Sequence, residues 1–261
     1  MEVTKPRSAQ ALDIDSRLSL NDVFGFACGP HVPCFTECCG KLELLVTPYD
    51  LLRLRRRLRV SSAEFLDTYT VTRLRTAHGF PEIVMRFDPA VGNLCPFVTP
   101  AGCSVYEDRP GACRIYPLGR ASTTHPLDGS HREFYFTVRE DHCRGFERPR
   151  EWTVREWIAN QGLEEYNKFN DLLMELYVLR SRRAGIVLTT RHIQMFMMSC
   201  YNTERFREFV FTSGFLKKFQ VAPDLEAALR EDDERLLWFA FQWLKLAVFH
   251  EPTLVVKQPP V

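Results

Sequence analysis

Cys28-Gly-Pro-His-Val-Pro-Cys34-Phe-Thr-Glu-Cys38-Cys39 packs four thiols into twelve residues and ends in an adjacent pair. The Gly29-Pro30 and Val32-Pro33 steps exclude regular helix and leave an irregular loop that can aim several sulfurs inward. Four more thiols follow at Cys95, Cys103, Cys113 and Cys143, so eight of the nine cysteines fall in the first 143 residues. A thiolate is a soft ligand suited to zinc, iron or an iron–sulfur cluster. The expectation is that these two groups of four fold together around metal, in one centre or two.

The pattern, Cys-x5-Cys-x3-Cys-Cys and then Cys-x7-Cys-x9-Cys with a distant Cys143, has neither the knuckle spacing of zinc fingers nor a ferredoxin run. Neighbouring side chains diverge in strand and helix, so Cys38 and Cys39 reach one small ion only if the backbone bends sharply. Two metals, or a polynuclear cluster, would use the pair more comfortably. Buried free cysteines would sit on apolar stripes, whereas these eight sit beside Gly, Pro and charged residues. Cys200 is the exception. It shares a helical stripe with Phe196 and reads as core, as does the Met195-Phe-Met-Met198 run.

A tetrathiolate zinc site and an oxidised tetrathiolate [4Fe–4S] cluster each carry a net charge of about −2 by formal counting, and such sites want cations nearby. Arg109, Arg114, Arg132 and Arg144 stand close to cysteines in sequence. Arg109 and Arg114 are the preferred partners, with Tyr106 packed beside them. His31, His125, His131 and His142 could replace a thiol, but a lone histidine near such a site is more often a hydrogen-bonding neighbour. Asp50, Glu107, Asp108 and Asp141 read as structural carboxylates.

With 261 residues, 45% apolar and 26% charged, the chain has the make-up of a folded protein with a real core. A formal charge of +1 gives no strong nucleic-acid signal and argues against a polybasic membrane binder. The N-terminal residues lack an apolar signal core, and the longest apolar run, Leu236 to Phe249, is broken by Gln242 and Lys245. The expected location is therefore the cytoplasm, with no membrane partner, where clustered cysteines bind metal or react more often than they form disulfides.

Phe26 to Cys39, Thr47-Pro-Tyr-Asp-Leu-Leu-Arg53, Cys95-Pro-Phe97 and Cys103-Ser-Val-Tyr-Glu-Asp-Arg-Pro-Gly-Ala-Cys-Arg-Ile-Tyr-Pro117 resemble the CxxCxxCC, or YkgJ-type, cysteine-cluster family, described as zinc- or iron-chelating. The likeness runs over about residues 24–145, and the segment from Cys103 to Pro117 is its most specific part. The first spacings here are x5 and x3 where the family's name implies x2 and x2, so an inserted loop alters the geometry around Cys28. The family also takes in proteins similar to flagellin lysine-N-methylase. That relation implies an alternative, a protein-lysine N-methylase using S-adenosylmethionine on a protein substrate. The residues themselves offer no dinucleotide loop, Walker loop or nucleophile elbow, and they identify no catalytic group.

Around the cysteines the elements are short. Thr47-Pro-Tyr-Asp50 reads as a helix start whose helix interleaves Leu51, Leu52, Leu54 and Leu58 with Arg53, Arg55, Arg56, Arg57 and Arg59. That basic run is expected to be a solvated face; a third reading makes it the docking face of an interaction module with structural zinc. Ser61-x-x-Glu64 opens a second helix, Glu82–Phe87 and Glu133–Arg139 read as strands, Cys95 to Tyr106 as a hairpin, and 119–131 as a polar loop. From Trp152 helical periodicity takes over, with Tyr166, Phe169, Leu173, Leu176 and Tyr177 on one stripe. Further helix starts fall near Thr190, Thr203 and Asp224, and Asp232 or Asp233 opens the last helix. The predicted fold is α+β: a polar lead-in over 1–22, a cysteine-cluster module over 23–150 and a helical domain over 151–261, the last two sharing an interface.

Overall fold

The computed structural model describes residues 17–40, 42–74, 77–124, 131–147, 149–183 and 185–257. The chain is α+β. In order it forms β1 (Val23–Phe26), α1 (Pro48–Leu58), α2 (Ser62–Tyr69), β2 (Thr70–Arg73), β3 (Glu82–Met85), β4 (Val98–Thr99) and β5 (Gly102–Cys103). Then come α3 (Gly111–Ile115), β6 (Leu118–Thr124), β7 (His131–Thr137), β8 (Arg150–Thr153), α4 (Val154–Gln161) and α5 (Glu164–Arg182). The rest is α6 (Thr190–Tyr201), α7 (Thr203–Thr212), α8 (Phe215–Lys218), β9 (Phe219–Gln220), α9 (Pro223–Glu231), α10 (Asp233–Phe249) and β10 (Val255–Val256). Two compact units result, each assembled from separated stretches: one from the chain up to Cys39 with Ala112–Glu164, the other from Gly40–Gly111 with Glu165 onward. A cut after residue 150 would fall inside β8.

The first unit is built on two small antiparallel ladders. β1 pairs with β8, Val23 opposite Thr153 and Phe26 opposite Arg150. β6 and β7 form a seven-residue hairpin ladder from Leu118↔Thr137 to Thr124↔His131. The expected polar loop is therefore wrong at its start: 118–124 is a strand, whose backbone groups are satisfied by the alternating partner strand that follows. The lead-in is tied down as well from Leu18, which exchanges backbone hydrogen bonds with Tyr135 at 2.7 and 3.0 Å. Residues 1–16 lie outside the described residues. Phe24, Phe26, Trp157 and Tyr116 form an edge-to-face aromatic core, with ring centroids 5.7–5.8 Å apart between Phe26 and its neighbours Tyr116 and Trp157. The Trp157 indole N–H donates to the Ile115 carbonyl at 3.0 Å. α4 begins in a full capping box, Thr153 with Glu156, and its last turn receives the Arg114 guanidinium on the Gln161 carbonyl at 2.6 Å.

The second unit centres on α10, where Leu236, Leu237, Phe239, Ala240, Phe241 and Leu244 are all buried. Of the two aspartates the sequence offers, Asp232 caps this helix by accepting from the Glu234 and Arg235 amides. Phe206, Phe209, Phe215 and Trp243 cluster beside it, and Tyr49 of α1 stacks on Phe169 of α5 at 4.6 Å. The stripe of α5 is buried at Tyr166, Phe169, Leu173 and Leu176, and Cys200 is core. α6 starts one residue earlier than expected, with Thr189 as its cap.

Two expectations fail here. Of the Met195–Met198 run only Phe196 is fully buried; the three methionines are half-buried and line an open groove. Nor is the basic run of α1 a plain solvated face. Arg55 is buried, pairs with Asp233 and Glu204 and donates to Thr203 Oγ1 at 2.9 Å, while Arg56 and Arg207 also hold Asp233. Arg53 grips Asp108 at 2.7 and 2.9 Å. Leucines at 51, 52 and 54 pull the helix into the core, so alternate arginines go in with it and need carboxylates. Arg57 and Arg59 stay exposed.

Candidate metal centre

β1 runs straight into the first thiol. The Ala27 amide donates to the Gly145 carbonyl at 2.9 Å, which lays Cys143-Arg144-Gly145 alongside Cys28. Only glycine fits there, because a Cβ on residue 145 would meet the Phe26 ring at 2.4 Å and the Ala27 carbonyl at 2.6 Å. From Gly29 the chain advances by consecutive tight turns. The amides of Val32, Phe35, Glu37 and Cys39 donate to the carbonyls of Gly29, Val32, Cys34 and Thr36 at 2.9–3.0 Å. Val32 is buried and pins the loop. Thr36 takes φ +70°, rare for a β-branched residue, and the next three residues form a 3₁₀ turn, Glu37–Cys39.

That bend answers the difficulty of the adjacent pair. The Cys39 thiol hydrogen-bonds to the Cys38 sulfur and brings the Cys38 pKa down to about 7, against the opposing effects of burial and Glu37. Cys28 goes the other way. Its residue surface is partly open, yet the sulfur is hemmed in, and desolvation together with Cys38, Cys34 and Cys143 pushes its pKa up to about 11. The same interactions put Cys38, Cys34 and Cys143 each within electrostatic reach of Cys28. The Arg144 amide donates to Cys34 Sγ at 3.1 Å. Cys34, Cys38 and Cys143 of the first unit thus lie within charge–charge reach of Cys28 after β1, and Cys39 is hydrogen-bonded to Cys38.

Cys95 and Cys103 belong to the second unit and form a separate pair. They flank the β4–β5 turn, Cys103 opposite Val98, and Cys103 adds to the burial that raises the Cys95 pKa. The Phe97 and Val98 amides face the Cys95 sulfur and oppose that rise, as N–H donors to a thiolate do. Cys113 stands exposed on α3. As the side chains stand, no three His, Cys, Asp or Glu residues among those described reach the spacing of a single ion's shell.

The donor set nonetheless fits a thiolate-bound metal. The Tyr116 hydroxyl and His142 Nδ1 are buried without a partner of full hydrogen-bond geometry, and the Tyr116 hydroxyl sits against the Cys143 sulfur and the Glu140 backbone. Burial and the neighbouring Cys143 raise the Tyr116 pKa, so this hydroxyl keeps its proton and can offer it to an anionic sulfur. His31 is exposed, His125 lies outside the described residues, and His131 and Arg132 lie on β7, with Arg132 exposed. Arg144 pairs with Glu147 at 3.2 Å and meets the thiols through its backbone alone. Arg109 is buried against the Tyr106 ring at 3.8 Å, the packing the sequence suggests.

Asp50 is the structural carboxylate at a helix start that the sequence suggests, and it has a second bond that the sequence does not show. Its carboxylate accepts from the Thr47 amide at 2.8 Å, closing the α1 capping box, and from the Gly111 amide at 2.8 Å, so it sets the start of α3 two residues before Cys113. The signal was present as Thr-Pro-x-Asp, but a cap spends one carboxylate oxygen and the second oxygen's partner lies 61 residues away.

Residues 27–149 match the CxxCxxCC family model, described as "Putative zinc- or iron-chelating domain". No curated protein and no solved structure matches the chain.

Proposed function

We propose that this CxxCxxCC domain holds an iron–sulfur cluster, with Cys28, Cys34, Cys38, Cys39 and Cys143 as its thiolate wall. Cys95, Cys103 and Cys113 are assigned to metal as well. The observation that supports the reading is that Cys34, Cys38 and Cys143 each come within charge–charge reach of Cys28 while Cys39 bonds to Cys38, five thiols where four close a structural zinc shell. The turn at Thr36–Cys39 supports it, because it directs an adjacent pair to one side, as a polynuclear centre requires. A cluster supplies one-electron transfer or redox sensing, tuned by N–H and O–H donors to its sulfurs. Here those donors are the Arg144 amide and the Tyr116 hydroxyl. None of the nine cysteines is in a disulfide, which suits a reducing cytoplasm.

Anaerobic purification followed by iron, zinc and acid-labile sulfide analysis tests this. Wild type carries iron and sulfide with visible charge-transfer absorption. Cys28→Ser and Cys143→Ser lose most of both, whereas Cys200→Ala, altered in the core of the other unit, keeps them. A colourless protein with stoichiometric zinc replaces this reading with a structural site.

A further inference from the structure

α6 has two faces. Phe196, Ser199 and Cys200 are buried, while Arg191, Met195 and Met198 recur at i, i+4 and i+7 on another side. With Met197 and with Leu66 of α2 they line an open groove of about 450 Å³ that ends at Arg205 of α7. Three of the chain's six methionines stand within four residues here, so one groove takes half of the most deformable apolar side chain in the protein. Core packing does not require this, because Phe196 alone fills the inward position. The charges at the rim have one sign. Arg191 and Arg205 are exposed, neither has an ion-pair partner among the described residues, and no carboxylate lines the groove. Elsewhere in this unit Arg53, Arg55, Arg56 and Arg207 each have a carboxylate.

We propose that this groove docks an acidic amphipathic helical segment of a partner protein. Apolar anchors one turn apart would enter the methionine floor, and flanking Asp or Glu would meet Arg191 and Arg205. The volume holds a few side chains rather than a domain, and a groove floored by α6 and flanked by α2 and α7 takes a further helix laid along it. Methionine thioethers repack around different apolar side chains, so the rim charges rather than the floor select the partner. This site is independent of the metal centre.

The test uses the full chain labelled with methyl-¹³C methionine. It is titrated with a synthetic helical peptide carrying leucine at i, i+3, i+4 and i+7 between glutamates, with its lysine-for-glutamate counterpart and with a scrambled version. The methyl signals of Met195, Met197 and Met198 shift with the acidic peptide, while those of buried Met85 and of Met174 do not. The acidic peptide binds about tenfold or more tighter than the lysine one, and salt weakens it. The double variant Arg191→Glu, Arg205→Glu, altered only at exposed positions and checked for an unchanged melting temperature, reverses the preference. Equal binding of the scrambled peptide, indifference to the charge reversal, or no shift of the three methyls overturns the proposal. So does a shift of those methyls with protein concentration alone, which would make a second copy the occupant.

Discussion

Single residues decide the electrostatics of this protein. Asp233 is the plainest case. Burial raises its pKa, but the hydrogen bond from Arg207 and the charges of Arg55, Arg207 and Arg56 outweigh that and hold the carboxyl below its ordinary value. A depressed carboxyl contributes stability above the unfolded-state value and loses it as pH falls through the folded one. Asp233→Asn should therefore cost about 1.5–3 kcal/mol at neutral pH, because Arg55 keeps Glu204 but loses its second carboxylate, and Arg56 and Arg207 lose their hold on Asp233. Urea melts at decreasing pH should show the gap to wild type closing below about pH 4; a gap that stays constant would mean the charge is immaterial. Thr36 offers a second test. A β-branched residue in the left-handed region costs about 1–2 kcal/mol, so Thr36→Gly should stabilise the fold by about 0.5–1 kcal/mol after glycine's entropy is counted. Metal content should be unchanged; if metal is lost, the strained bend needs the threonine side chain itself.

At the scale of elements, local chemistry was legible and long-range pairing was not. Thr47-Pro48 with Asp50, Asp232 before α10 and the α5 stripe all stand where composition and period put them. β6 was not legible. Leu118-Gly-Arg-Ala-Ser-Thr-Thr124 has no alternation, and it is a strand because β7 offers it a ladder. Gly119 sits opposite Phe136, whose ring occupies the space a Cβ would take, at 2.3 Å. The buried arginines of α1 were misread for the same reason, since Asp233 lies 178 residues from Arg55. Asp50 joins two elements, so Asp50→Ala should cost about 2–4 kcal/mol by stranding the Thr47 and Gly111 amides. Hydrogen exchange at Gly111 should accelerate with it; unchanged exchange would show that α3 is held by other means.

For the molecule as a whole, the two compact units are each built from stretches far apart in the chain. The eight cysteines stand out by their neighbours, yet β1 pairs with β8 across more than a hundred residues, so each unit takes pieces from separated stretches. Which thiols lie near Cys28 was hidden in the sequence, because Cys143 reaches Cys28 only through the Ala27–Gly145 bond. A group that binds the folded chain stabilises it by mass action. An iron chelator should therefore lower the melting temperature of anaerobic wild type by several degrees and leave that of Cys28→Ser unmoved; an equal effect on both would place the stabilising metal elsewhere. The central claim, a polynuclear thiolate centre at the end of β1, is tested most directly by X-ray absorption at the iron and zinc edges of anaerobically purified protein. The account predicts iron with a sulfur-only first shell and a nearby iron scatterer, both lost in Cys28→Ser. Zinc in a sulfur shell without iron, or iron bound only by oxygen and nitrogen, would contradict it.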